Sequence, residues 1–408
     1  MFTNFFGYFL KDNHYVSLIG ILVFILVAFL FSNNKKRINP RRVLGALIMQ
    51  FALAVFVLKT WIGHRIFMYL ASVFNKLYSF ADAGISFIFG NLGDASASWG
   101  FIFAVKVVPI IIFFGALMSL LFHLGVIQFF VKILAFLIRP ILGTSGAETL
   151  CATANSMLGP TEAPLLIKKY LKGMTDSEML VVMISGMSTL QASLIAVYGS
   201  MGVSMVHILT ALVMSVPGSI LISKILIPET GSPETAHGNK IDMKSDSSNV
   251  LDAISSGTSD GLKLAANVAA MLIAFISLMA MANFILESII GWSLNDVFAK
   301  LFSNVAYLLG ISGKDKEIAG ALLGQKLVLN EFIAYASLVR VELAERVRII
   351  LTYALCGFAN FSVIGILIGG VGALAPEKRG VLTKLGLKAL LGATLVNLIN
   401  AAIAGLLI

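Results

Sequence analysis

Charge is what this sequence has least of. Asp, Glu, Lys and Arg supply 12% of its 408 residues, whereas apolar residues supply 58%. A soluble domain carries about 25% charge, so these side chains could not cover a water-facing surface of this size. The mean hydropathy of +0.93 agrees. The deficit excludes a soluble enzyme or binding module and leaves an integral membrane protein. Cysteine is scarcer still: the two present, Cys151 and Cys356, both lie in apolar surroundings, which offers neither a disulfide framework nor a metal cluster. The five histidines form no ligand spacing. Acids are the rarer charge, 21 against 30 Lys and Arg, giving a net charge of +9. In a soluble protein that excess would suggest nucleic acid; in a membrane protein it reflects basic residues collecting in cytoplasmic loops.

What is abundant is uninterrupted apolar chain. A spanning helix takes about 20 mostly apolar residues. Charge-free stretches of that order run over 15–34, 107–131, 179–223, 264–286, 349–376 and 389–408, and 43–58 extends to Trp61 across one Lys. The 179–223 stretch is too long for one helix, and Gly199-Ser200-Met201-Gly202 divides it. Eight spans are predicted. The first reads as a retained helix, because only Lys11 precedes it and Lys35-Lys36-Arg37 follows in place of a small-residue cleavage site. Lys35, Lys36, Arg37, Arg41 and Arg42 lie between spans one and two without an acid. Lys168, Lys169 and Lys172 precede span four, and Lys378, Arg379 and Lys384 precede span eight. With these loops inside, both termini fall outside and the polar linker 228–249 falls inside.

Two segments do not read as simple spans. Residues 141–167 carry Glu148 and Glu162 and are broken by Gly159-Pro160, with Pro164 near the end; residues 318–339 carry Lys326 and Glu331, with Gly320 and Gly324. Charge and irregular backbone persist at membrane depth only where protein or water surrounds them. Re-entrant hairpins meet that condition. The span after each is also unusual. Ser185-Gly186-Met187-Ser188-Thr189-Leu190-Gln191-Ala192-Ser193 follows the first, and Gly357-Phe358-Ala359-Asn360-Phe361-Ser362-Val363-Ile364-Gly365 the second. Both put hydroxyls, an amide and glycines inside an apolar helix. The expected fold is an all-α polytopic membrane protein with eight transmembrane helices. Two oppositely entering hairpins and the broken helices after them form an inverted repeat. In secondary transporters such repeats place the substrate at the midplane.

Glu162 and Glu331 are acids inside apolar segments and so are site candidates; the plainer alternative for each is helix capping. Lys326, five residues before Glu331, reads better as a snorkelling or ion-paired residue. Asn360 reads either as an interhelical hydrogen-bonding residue or, with Gly357, Ser362 and Gly365 beside it, as part of an opened helix. Gly365 and Gly369 have the spacing of a packing face. Carboxylates and an Asn suit a neutral ligand with hydroxyls or amide edges, Phe358 could stack on a ring, and carbonyls of a broken helix suit a hard cation such as Na⁺. An acid/base enzyme is disfavoured, since no nucleophile or metal cluster accompanies the two carboxylates.

Gly324-Gln325-Lys326-Leu327-Val328-Leu329-Asn330-Glu331-Phe332-Ile333-Ala334-Tyr335 resembles the GxKxxxNEFxAY signature of concentrative nucleoside transporters. Asn360-Phe361-Ser362, Ile364-Gly365 and the run from Gly369 to Pro376 resemble that family's NFSSIG and GGxGALAP stretches, and Leu158-Gly159-Pro160-Thr161-Glu162-Ala163-Pro164-Leu165 resembles its GQTEAPL hairpin. The resemblance runs from about 149 to the C-terminus and is to the eight-span bacterial type. It implies a homotrimer in the inner membrane with a mobile transport domain moving as an elevator. The chain would divide into N-terminal scaffold spans with an interfacial helix (1–135), the first hairpin and its broken helix (136–202), spans five and six with linker 228–262 (203–310), the second hairpin and its broken helix (311–376), and a last scaffold span (377–408). It further implies that Thr161, Glu162 and Leu194 meet the nucleobase, Glu331 and Asn360 the ribose, and that Phe358 lines the pocket. A coupling Na⁺ would lie among Asn155, Thr189 and the carbonyls of Leu158 and Leu190; retention of Asn155 and Thr189 favours Na⁺ over H⁺.

Two positions depart from the pattern. The Gln of GQTE is Pro160 here, and the second Ser of NFSS is Val363. Neither can make the hydrogen bond it replaces, and each loss typically costs about 1–3 kcal/mol if the partner stays buried. Purine, pyrimidine, free base and modified nucleoside therefore all stay open as substrates.

Overall fold

The computed structural model describes residues 13–94, 102–236 and 247–408. Lys11 and the middle of the polar linker, 237–246, lie outside them. Among the described residues all regular structure is helical. Each of the eight apolar stretches coincides with helix. They are α1 His14–Leu30, α2 Pro40–Lys59, α4 Phe103–His123, α8 with α9 (Asp176–Ser188 and Ala192–Ser200), α10 Met205–Leu226, α11 Val250–Ile290, α15 with α16 (Glu345–Leu355 and Phe361–Leu374), and α17 Arg379–Leu407. Six are long and apolar enough to cross a membrane; α1 and α16 are shorter.

Several boundaries are corrected. The second span stops at Lys59, because Thr60 caps a new helix, α3 Trp61–Phe89, by accepting the Gly63 amide proton at 3.1 Å. A Cβ at Gly63 would lie 2.0 Å from the Phe56 carbonyl oxygen, so only glycine permits that corner. The third stretch is split by Gly125, whose positive φ ends α4 and starts α5 Val126–Leu142. The expected boundary at 135 thus cuts a continuous helix. The linker is shorter than 228–262, since α11 begins at Val250, where Asn249 accepts the Asp252 amide proton. A Cβ on Gly365 or Gly369 would meet nothing within 4 Å, so the packing expected of that pair is not made among the described residues.

The helices sort by burial. α8, α9, α10 and α17 are buried nearly throughout, as suits helices apolar on every face, whereas α11 is almost bare except along α4. There Gly115 meets Gly257 and Gly261 so closely that a Cβ at Gly115 would stand 2.7 Å from the Gly257 oxygen. Small residues let two backbones approach in lipid.

The predicted inside loops converge at one end of the molecule. Lys172 pairs with Glu377 at 3.3 Å, Lys378 donates to the Met174 carbonyl at 2.6 Å, and Lys388 donates to the Asn33 side chain. At the other end Asn13 donates to Ser312 at 2.9 Å and Arg346 donates to the carbonyls of Gly310 and Gly405.

Candidate functional site

The first hairpin rises from the basic end. Its first arm is α6 Gly146–Asn155, opened by a capping box in which Ser145 and Glu148 bond each other's backbone N–H. Glu148 is thereby assigned: its other oxygen accepts from Lys224 at 2.6 Å, rooting the arm on α10. The second arm is not a regular α-helix, because Pro164 leaves a 3₁₀ turn over Ala163–Ile167 before the short α7 Lys168–Leu171. The second hairpin starts from the opposite end with α13 Asp315–Val328 and returns as α14 Glu331–Leu338, capped by Asn330, which accepts the Ile333 amide proton at 2.9 Å. Gly320 and Gly324 let α12 Leu294–Leu308 cross it: a Cβ at Gly324 would lie 2.4 Å from Phe298 Cβ.

Both expected helix breaks are present. α8 ends at Ser188 and α9 starts at Ala192; α15 ends at Leu355 and α16 starts at Phe361. The two unwound segments meet. The Phe358 amide donates to the Thr189 carbonyl at 3.3 Å, and Gly357, at φ 144°, leaves no room for a Cβ, which would fall 2.8 Å from the Ser188 oxygen. The first hairpin's tip joins them through the Ala192 amide, which donates to the Met157 carbonyl at 3.2 Å.

The two singled-out carboxylates have different settings. Glu331 is buried; its oxygens accept from Tyr198 at 3.1 Å and Asn360 at 3.4 Å. Asn360 also caps α16, accepting from Ser362 at 2.6 Å and from the Val363 amide at 3.3 Å. Glu331 and Asn360, the two residues expected to meet the ribose, thus bond each other, and Val363 donates its backbone N–H to Asn360. Glu162 is half-buried, accepting from the Gly159 amide at 3.3 Å and from the Gln191 side chain at 2.7 Å. Thr161 is exposed and lies against Gly370, while Leu194 is buried and Phe358 partly so.

Asn155 is fully buried at the end of α6. Its amide nitrogen donates to Ser185 at 2.9 Å, but its Oδ1 has no hydrogen-bond partner. Thr189 donates to the Ser185 carbonyl at 2.8 Å, so both side chains bond Ser185 in the last turn of α8. An orphaned buried acceptor costs free energy unless something fills it. Lys326 differs from expectation: it neither snorkels nor pairs with an acid among the described residues, but donates to two neutral oxygens, the Ala354 carbonyl at 2.7 Å and Asn397 Oδ1 at 2.6 Å.

Comparison with known proteins agrees with this architecture. Family models match along nearly the whole chain: "Na+ dependent nucleoside transporter N-terminus" over 19–92, "Gate: Nucleoside recognition" over 104–205, and "Na+ dependent nucleoside transporter C-terminus" over 207–405. The nucleoside permease NupC of Helicobacter pylori is 39% identical, the alignment covering 96% of this chain and 97% of that one. The chain belongs to the concentrative nucleoside transporter family. An uncharacterized transporter of Haemophilus influenzae is 41% identical over 96% of this chain and 97% of its own. Among solved structures, CNTnw in an inward-facing substrate-bound state superposes with a TM-score of 0.92 at 37% identity, covering 96% of this chain and 97% of that one. This is a transporter family and not an enzyme family.

Three side chains that sequence reading did not single out bond the candidate residues of this concentrative nucleoside transporter. Gln191 binds Glu162, Tyr198 binds Glu331, and Asn397 joins Lys326 to the Ser188 carbonyl at 2.9 Å. Gln191 had a signal, an amide inside an apolar helix. Tyr198 and Asn397 lie far along the chain from their partners and had none.

Proposed function

We propose that this transporter is a Na⁺-coupled symporter that imports nucleosides across the bacterial inner membrane, with both termini outside, working as a homotrimer whose hairpin-bearing part moves as an elevator. The observation that carries the reading is the meeting of two unwound helices between two oppositely rooted hairpins, with Glu331–Asn360 on one side and Glu162–Gln191 on the other. Carboxylate and amide pairs of this kind accept from and donate to ribose hydroxyls and base edges. Glu331 and Asn360 take the ribose, Thr161, Glu162 and Leu194 the base, and Phe358 closes one wall.

Na⁺ as the coupling ion is supported by Asn155 Oδ1, a buried oxygen without a donor. Thr189 and the carbonyls of Leu158 and Leu190 complete an all-oxygen set, which suits a hard cation better than a nitrogen or sulfur set. The Gln191 amide also bears on Pro160. Its amide carbon lies 3.2 Å from the place a Cβ on Gly159, the residue before Pro160, would take. Gln191 supplies an amide to the base side from the broken helix instead of the hairpin.

The absence of side-chain hydrogen bonding at Pro160 and Val363 supports a second reading, a same-fold carrier for a free base or a modified nucleoside, or one coupled to H⁺. Radiolabelled uptake into proteoliposomes, with a panel of nucleosides and bases and with and without Na⁺, decides between them. Na⁺-dependent uptake of nucleosides is expected. Uptake of bases alone rejects the nucleoside reading, and undiminished uptake on a proton gradient without Na⁺ rejects the sodium one.

A further inference from the structure

Lys326 is a cation at membrane depth, held by neutral oxygens. It lies near the end of the first arm of the second hairpin and is 4% exposed. Ala354, whose carbonyl accepts from its Nζ, is the second-last residue of α15, just before the break. Carbonyls at a helix C-terminus lack intrahelical partners and carry the negative end of the dipole, so they favour an ammonium there. Asn397 Oδ1 accepts a second hydrogen bond from Nζ, and the Asn397 amide donates in turn to the carbonyl of Ser188, the last residue before the other break.

The first repeat has the same parts in the opposite orientation. Asn155 closes the first arm of its hairpin and stands beside Ser185 and Thr189, at the end of α8. There an oxygen is left without a partner; in the second repeat the hairpin arm itself brings the positive group, and the oxygens at the break are filled. We infer that the Lys326 ammonium is a tethered cation, occupying in the second inverted repeat the place the coupling ion takes in the first. The inference rests on the reading of Na⁺ beside Asn155. It gives the chain one exchangeable cation and one fixed one, and hence one Na⁺ for each nucleoside. It also makes Lys326 a positioning residue: through Asn397 it holds the Ser188 carbonyl, next to Thr189, while Glu331 five residues on faces the ligand.

The test uses the full chain in proteoliposomes, wild type, Lys326→Arg, Lys326→Met and Asn397→Leu, with uridine and adenosine as probes and ²²Na⁺ flux alongside. Wild type and Lys326→Arg are expected to move about one Na⁺ per nucleoside with a Hill coefficient for Na⁺ of about one. Hydrogen bonds to a charged group are worth about 1.5–3 kcal/mol, so Lys326→Met should lose about tenfold or more of nucleoside affinity at Na⁺ that saturates wild type. Transport should return at higher Na⁺ with the Hill coefficient rising toward about two, as a second ion enters the emptied place. A merely structural role would not move that coefficient. A folded Lys326→Met protein that keeps a coefficient of one, or that no Na⁺ concentration revives, overturns the inference. If Lys326→Met does not fold, Asn397→Leu decides: a raised half-saturating Na⁺ with an unchanged coefficient is expected, and an unchanged Na⁺ requirement overturns it. Wild-type uptake indifferent to Na⁺ would instead fell the sodium reading itself, and the inference with it.

Discussion

Glu162 and Glu331 illustrate how differently two side chains can present an acceptor. Glu162 reaches its partner Gln191 while half-exposed, so the pair can open to admit a ligand. Gln191→Ala removes the donor and leaves the carboxylate in place; nucleoside affinity should fall about three- to tenfold, with Na⁺ affinity unchanged, as read by equilibrium binding to purified protein. Glu331 is buried between two donors, Tyr198 and Asn360. Glu331→Gln turns part of that acceptor into a donor facing donors. The loss should exceed about tenfold in nucleoside affinity, and an unaltered affinity would remove Glu331 from the site. At the proposed Na⁺ site, Asn155→Ala and Thr189→Ala each delete one oxygen and should raise the Na⁺ needed for half-maximal uptake without changing which nucleosides are taken.

The elements show what a sequence displays and what it hides. Both breaks were legible, because hydroxyls, amides and glycines inside apolar stretches mark where a helix gains little by continuing. Glu162, Glu331 and Asn360 were legible for the same reason. The first hairpin's second arm was not foreseen as a 3₁₀ turn, although Pro164 is the cause. α12 was missed because 294–308 is amphipathic and too polar to read as a span. Tyr198 and Asn397 act through partners 133 and 71 residues away, a separation that no local pattern records. Gly357 joins the two breaks, and its role makes a prediction at this scale. Gly357→Ala puts a methyl group 2.8 Å from the Ser188 oxygen at a φ that alanine avoids. The strain alone is about 1–3 kcal/mol. The variant should melt lower than wild type, and nucleoside plus Na⁺ should recover less of its thermal stability than they add to wild type.

At the scale of the whole molecule, the basic loops predicted to lie on one side of the membrane do converge on one end, and the two hairpins root at opposite ends. Gly146 at the base of the first hairpin donates to the Thr235 carbonyl at 3.1 Å, within the loop that follows α10, whereas Gly310 and Arg346 flank the base of the second. The Lys and Arg of the loops at the first end predict that it faces the cytoplasm. Ser232 and Ser312 are exposed at the two ends, and the native Cys151 and Cys356 are both buried. A membrane-impermeant maleimide should therefore label Ser312→Cys in intact cells and Ser232→Cys only after permeabilisation. The reverse pattern would invert the molecule, turn the first hairpin outward and place the Asn155 oxygen under the opposite gate. Labelling of both from one side would break the inverted repeat itself, since hairpins rooted on the same face cannot offer their tips to a common site from opposite directions. The orientation of the basic loops and the geometry of the site thus stand or fall together.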